Sequence, residues 1–192
     1  MSCPIGNRRP TSADGPVIDM GDLTLLTMPG AGSDLVALQD DMGAPAQELS
    51  SNGVELSVPE GTYLELDFED VVLGNRRFRA RDVPTELLRQ FAPDDNLTAL
   101  WAFYPFEAAF RPGPSTAEFA RVGMSFPNPS DLAAGTSVEI LSHGSFLYPD
   151  IVTPAAFEVV ATATVSEDGR RIVIDEGEGI EVLTWVGYRP AG

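Results

Sequence analysis

The single histidine of this 192-residue chain, His143, stands two residues before Ser145, with Gly144 between them. A histidine beside a serine can take the hydroxyl proton, and the oxygen can then attack the preceding carbonyl. That reaction needs a strained turn. Glycine relieves strain instead of storing it, so residues 142–145 read first as a hairpin turn between strands. A second group is the basic island Arg76, Arg77, Arg79 and Arg81 in an acidic chain. Arginine forks suit carboxylate or phosphate partners. The simpler reading is an edge strand blunted by charge and paired with the protein's own acids. Trp101, Phe103, Tyr104, Phe106 and Phe110 offer either a platform for sugar or peptide or, more simply, a core strand, with Tyr104 beside Pro105 nearest the surface. Asp94-Asp95-Asn96 and Asp175-Glu176-Gly177-Glu178 carry the oxygens that calcium takes. They lack any ordered calcium-loop spacing and read as solvated acids, with weak calcium binding left open. Asn96-Leu97-Thr98 fits a glycosylation acceptor, which matters only in a eukaryotic secretory setting. Cys3 is a free thiol, an intermolecular link or the remnant of a lipid attachment site, although Met1-Ser2 supplies no leader for the last. No catalytic residue, cofactor-binding residue or metal ligand is singled out.

Composition narrows the class. The chain has 29 acids against 12 bases, a formal net charge of −17, and no lysine at all. A lysine Schiff base and a Walker-type phosphate loop are excluded. With one cysteine and one histidine, a structural zinc site and an intrachain disulfide framework are excluded as well. The acidic field argues against nucleic acid. Hydrophobic residues make up 43% of the chain, which fits a globular protein with its own core. No apolar run is long enough to span a membrane. Met1 to Pro10 is not a secretory signal as written, so the protein is expected to be secreted or at the cell surface with its leader removed, or else cytosolic. The abundance of Ala, Gly, Asp, Glu and Arg points to a GC-rich bacterial genome.

The elements that must position these groups are short. Residues 1–15 read as a flexible tail. Val17-Ile18 and Leu23 to Met28 are apolar runs, Leu35 to Leu38 is ambiguous, and Asp40 to Asn52 reads as a loop with Gly43 and Pro45. From residue 53 the apolar residues alternate: Val54, Leu56, Val58; Leu64, Leu66, Phe68; Phe78 and Ala80 between arginines; Val138 and Ile140; then Phe157, Val159, Ala161, Ala163 and Val165. Period two is the signature of half-buried strands. Leu97 to Phe110 and Phe119 to Phe126 are further strand candidates, Glu167-Asp168-Gly169 makes a hairpin into Ile172 and Ile174, and residues 180–186 form the last strand. Thr85 to Phe91 is the helix candidate, no more than about two turns long. About ten short strands with turn chemistry between them predict an all-β, antiparallel β-sandwich with at most one short helix, near residues 85–91.

Leu56-Ser57-Val58-Pro59 precedes Gly61-Thr62-Tyr63-Leu64-Glu65-Leu66, and Met124-Ser125-Phe126-Pro127 precedes Gly135-Thr136-Ser137-Val138-Glu139-Ile140. Both read apolar-Ser-apolar-Pro, a turn, then Gly-Thr-x-apolar-Glu-apolar. Two related halves, 16–120 and 121–192, are one explanation; similar-looking hairpins within one continuous domain are the other. The stretch Val58-Pro59-Glu60-Gly61-Thr62 resembles the strand-turn-strand signature of the β-sandwich domain shared by ankyrins, netrin receptors and zonula occludens proteins. The later stretch, from Phe126-Pro127 through Gly135-Thr136, Thr164-Val165-Ser166-Glu167-Asp168-Gly169 and Glu178-Gly179-Ile180 to Trp185, resembles modules of large bacterial surface proteins. Those modules commonly end in Trp-His-Cys, and this chain departs there with Trp185-Val186-Gly187. Relatives of the sandwich that cut themselves do so at a His-Phe-Ser step, where this chain has glycine. The resemblance covers about 53–187 and implies an extracellular, non-enzymatic sandwich.

The function expected is therefore a cell-surface or secreted module for adhesion, scaffolding or protein binding. The partner is a protein or a second copy, with no nucleic acid, no membrane span and no cofactor beyond weak calcium. The alternatives are a self-assembling fibre or sheath subunit and, third, a hydrolase acting through carboxylates.

Overall fold

The computed structural model describes residues 28, 36–37, 45–74, 76–113, 116–175 and 177–192. The predicted tail, Cys3, the apolar runs before Met28 and Glu176 lie outside them. The fold is all-β and antiparallel, as the alternation predicts. Its strands are β1 (Val36–Ala37), β2 (Gln47–Ser51), β3 (Val54–Val58), β4 (Tyr63–Glu65), β5 (Arg77–Asp82), β6 (Ala99–Tyr104), β7 (Ala108–Arg111), β8 (Gly123–Pro127), β9 (Ser137–His143), β10 (Phe157–Val165), β11 (Arg171–Ile174), β12 (Val182–Leu183) and β13 (Trp185–Pro190). Ten of them form one curled sheet in the order β1-β5-β6-β13-β9-β10-β11-β8-β3-β2, and β12-β7-β4 form a second. Strands from 16–120 and from 121–192 pair directly, β6 with β13 and β3 with β8.

The sheets are held by a single large core. Leu56, Phe78, Phe110, Phe126, Ile140, Ala163, Ile172, Leu183 and Tyr188 all lie inside it, contributed by both sheets. Trp101 sits at its centre, 5.0 Å from the ring of Phe126 and 5.9 Å from that of Tyr188. A smaller cluster on the outer face joins Val83, Leu88 and Leu100 to Phe91, Phe157 and Trp185. The predicted helical segment covers that cluster, as a 3-10 turn (Thr85–Leu87) running into a one-turn α-helix (Leu88–Phe91).

The curled sheet nearly closes on itself. The outer edge of β5 meets β1 at Arg77 and Phe78. Farther along, Ala80 N–H donates to Ser51 Oγ (3.0 Å) and Asn52 Nδ2 donates to Asp82 Oδ1 (2.8 Å). The arginine strand is therefore not the open edge that its charge suggested.

Two expectations are corrected. Residues 47–51 are a strand, not part of a 40–52 loop. Asn52 (φ 49°) and Gly53 (φ 78°) form the two-residue turn that pairs β2 with β3, and Asn-Gly is the composition such a turn selects. The run Leu64, Leu66, Phe68 does not stay extended. A helix (Phe68–Leu73) interrupts it, additional to the one predicted near 85–91. The Asp67 carboxylate caps its start by accepting from Asp70 N–H, and Gly74 ends it at φ 67°. The apolar side chains of this helix point to solvent, so no buried stripe announced it.

The two copies of the repeat share their turn. Gly61 (φ 77°) and Gly135 (φ 78°) both occupy the third turn position, and Thr62 and Thr136 N–H close the turns onto Pro59 and Ala133 carbonyls. Their first strands, β3 and β8, are direct neighbours, whereas their second strands go to different sheets.

Candidate functional site

The strand registers Arg79–Tyr104, Ala102–Trp185, Val186–Ser142 and His143–Phe157 define one end of the large sheet. Nine large apolar side chains are exposed among the described residues, and eight of them lie at this end. Phe68, Val71, Val72 and Leu73 come from the unpredicted helix, Phe106 from the β6–β7 turn, Phe146 and Leu147 from the loop after β9, and Val159 from β10. Val173 is the exception. Phe68, at 84%, and Phe146, at 77%, are the most exposed of them.

These loops are anchored. Tyr104 Oη donates to the buried Asp70 carboxylate, tying the helix to the end of β6. Burial, the Asp70 hydrogen bond and the Asp70 charge push the Tyr104 phenol up to about 12. The Arg79 guanidinium lies 4.3 Å above the Tyr104 ring. Ser145 Oγ donates to Glu107 Oε1 at 2.5 Å and accepts from Leu147 N–H at 3.0 Å. Glu107 itself is held at φ 61° by its N–H bond to the Leu183 carbonyl (2.7 Å). The Arg111 side chain, 12% exposed, pairs with Glu65 at 2.7 Å, and its guanidinium stacks 3.8 Å over Phe119 and 5.6 Å from Tyr148.

Between the 144–156 loop, the 179–184 segment and β10 lies a cleft of about 150 Å³. A β-bulge between Val159 and Ala161 turns Val160 toward it, the kind of irregularity by which strands aim side chains at sites. Arg121, His143, Ser145, Tyr148 and Glu181 line it together with Ile151, Val159 and Val160, and its exposed surface is more polar than apolar because Val152, Ile180 and Val182 are almost fully buried. Ser142 and Thr184 hydroxyls meet there at 2.9 Å. His143 stacks edge-on against Phe157 (5.1 Å). Burial lowers its pKa below the ordinary 6.5, with Asp95 pulling weakly the other way.

His143 and Ser145 thus share one cleft, but no hydrogen bond joins them among the described residues, and the Ser145 hydroxyl is committed to Glu107. Gly144 is there for space, not for a strained dihedral. A Cβ at this position would lie 1.9 Å from the Thr153 carbonyl oxygen, because the loop closes against Gly144 through the Gly144–Pro154 bridge. The aromatic run disperses: Trp101, Phe103 and Phe110 are buried, Tyr104 is half-buried, and Phe106 reaches the rim. Asp175 accepts from the Thr162 and Thr164 hydroxyls (2.7 and 2.9 Å), and Glu178 accepts from Thr162 N–H. The Asp95 carbonyl accepts from Arg189 (3.1 Å), and Asn96 is exposed at φ 51°. Among the described residues no three carboxylate, histidine or cysteine groups converge as a metal would require. Likewise no helix of these residues is long and apolar enough to cross a membrane. Glu107, Arg111, Tyr148 and Thr184 escaped the sequence reading. Glu107 is 38 residues from Ser145, and only the fold brings such pairs together.

Comparison of the chain with models of known protein families, with curated proteins and with solved structures found no match.

Proposed function

We propose that the protein is a non-enzymatic binding module that docks a partner protein at the end of the sheet carrying the cleft, in the cell-surface or secreted setting that its sequence resemblance implies. One observation carries this reading: eight of the nine exposed large apolar side chains gather at that end, on loops fixed by Asp70–Tyr104 and Glu107–Ser145. Clustered exposed apolar groups mark interaction surfaces, and fixed loops reduce the entropy lost on docking. The test is a comparison of immobilised wild-type protein with the double variant Phe146→Asp/Leu147→Asp. A partner recovered from source-cell extract and then purified should bind the variant at least about tenfold more weakly. Equal affinity would remove the rim from the reading.

A specific feature supports a second reading, self-assembly by strand addition. Among the described residues β4 pairs with β7 alone and leaves its other edge open. Light scattering over about a hundredfold concentration range separates the two, because assembly follows mass action. Growth into large species supports a fibre or sheath subunit, and a constant monomer removes it.

A further inference from the structure

The chemistry of the partner rests on the binding reading above and follows from the arginine strand. Along β5 the side chains alternate. Phe78 and Ala80 enter the core, while Arg77, Arg79 and Arg81 stand on the opposite face, Arg77 and Arg81 exposed and Arg79 half-buried. A strand rises about 3.4 Å per residue, which sets successive arginines about 7 Å apart. Elsewhere Arg111, Arg121, Arg171 and Arg189 each meet a carboxylate at 2.7 to 3.2 Å. Among the described residues Arg77 and Arg79 form no ion pair, and Arg81 comes no nearer than 4.0 Å to Asp82. The pairing with the protein's own acids that the sequence suggested is therefore not made. Nearby acids serve other groups: Asp70 is buried and accepts from Tyr104 Oη, Asp67 accepts from Asp70 N–H, and Asp82 accepts from Asn52. Glu69, exposed on the adjoining helix, opposes an anion there.

Arg79 is the most constrained of the three. Its guanidinium lies 4.3 Å over the Tyr104 ring, and its buried Nε has no hydrogen-bond acceptor among the described residues. An unpaired buried donor is costly, and 29 acids were there to supply a partner. Stacking holds a guanidinium in one plane and readies its fork for a planar, bidentate acceptor. The chain's net charge of −17 repels anions, but screening limits each surface charge to a range of about 8 Å at physiological salt, so the arginines set the sign locally. A short acidic segment stays within that range, whereas a long polyanion would run onto the acidic remainder.

We infer that the outer face of β5 binds an extended acidic segment of the partner protein, whose carboxylates at alternate positions pair with Arg77, Arg79 and Arg81. An extended chain repeats its side chains on one side every second residue, about 7 Å, which is the arginine spacing. The apolar rim adjoins this face, because the helix carrying Phe68, Val72 and Leu73 is tied to Tyr104, the register partner of Arg79. Charge on the strand selects the partner, and the rim supplies apolar contact.

The experiment titrates the full chain, labelled with nitrogen-15, with the capped peptide Glu-Thr-Glu-Thr-Glu. The controls are Gln-Thr-Gln-Thr-Gln, the contiguous Glu-Glu-Glu-Thr-Thr, and inorganic phosphate. Amide shifts should concentrate at residues 76–81 and 102–104, and the Arg79 Nε–H signal should move with them. The glutamine peptide should bind at least about tenfold more weakly and the contiguous one several-fold more weakly. Raising the salt to about 0.5 M should weaken the alternating peptide several-fold. Arg77→Gln/Arg81→Gln, at two exposed positions, should cost about tenfold without moving the melting transition. Arg79→Lys keeps the charge but loses the fork and the stack, and should cost several-fold. Equal binding of the glutamate and glutamine peptides, equal binding of the alternating and contiguous peptides, phosphate held as tightly as the peptide, or no shift at millimolar peptide overturns the proposal. The rim reading fails separately. A purified partner weakened by Phe146→Asp/Leu147→Asp but indifferent to Arg77→Gln/Arg81→Gln keeps the binding module and removes the acidic segment. A partner weakened only by the arginine variant removes the rim and keeps the segment.

Discussion

The two ends of the large sheet are built on opposite plans. At the turn end, the connections from β8 to β9 and from β10 to β11 consume their polar groups locally. Asn128 Nδ2 donates to the Leu132 and Gly169 carbonyls (2.9 and 2.8 Å), and its Oδ1 accepts from Leu132 N–H (3.1 Å). Ser166 Oγ and Arg170 N–H both donate to Asp168, lowering its pKa. Little apolar surface shows there. At the loop end the connections display phenylalanine, leucine and valine to solvent and are pinned by a few side-chain bonds. The contrast teaches that exposure of apolar groups here is not looseness. Holding Phe146 in water while fixing its backbone through Ser145 costs solvation free energy, and such a surface is expected to serve binding.

The largest test of that contrast is Gly144→Ala. The added methyl meets the Thr153 carbonyl at 1.9 Å, so backbone must move. Denaturant unfolding should show a loss of more than about 3 kcal/mol, with new proteolysis in residues 144–156. A loss below about 1 kcal/mol would mean the loop yields freely and the clasp is unimportant. Next comes Asn128→Ala at the turn end, where one buried side chain satisfies three backbone groups. A loss of about 2 kcal/mol is expected, with partner binding at the loop end unchanged. Coupled loss of binding would show that the ends are not independent.

The smallest effect is a pH dependence. His143 has a folded pKa below 6.5, so the unfolded chain binds its proton first as pH falls. Stability attributable to His143 is complete above 6.5 and declines from there down to the lowered folded value. His143→Gln should flatten the unfolding free energy in that window relative to wild type. An unchanged slope would place the imidazole in water instead of beside Phe157.

The strands were legible because one face of each is buried, and period two survives any tertiary detail. The helix at 68–73 was not, since its apolar residues face outward and extend the alternation of Leu64 and Leu66. Its signals were local and polar, the cap at Asp67 and the glycine at 74. Strand β2 was hidden by its polar inward residue Ser51, though Asn52-Gly53 announced the turn after it. His143 and Ser145 were visible as neighbours in sequence. The cleft they share was not, because Arg121, Val159 and Glu181 converge only through sheet register.

The place of β13 has a consequence for how the molecule comes to exist. The last of the described strands lies between β6 and β9, in the middle of the sheet. Until residues 185–190 have left the ribosome, those two strands have no ladder partner between them and Trp101 lacks Tyr188. Until that strand arrives β6 has only β5 as a neighbour and β9 only β10, so the core closes only after residues 185–190 have emerged.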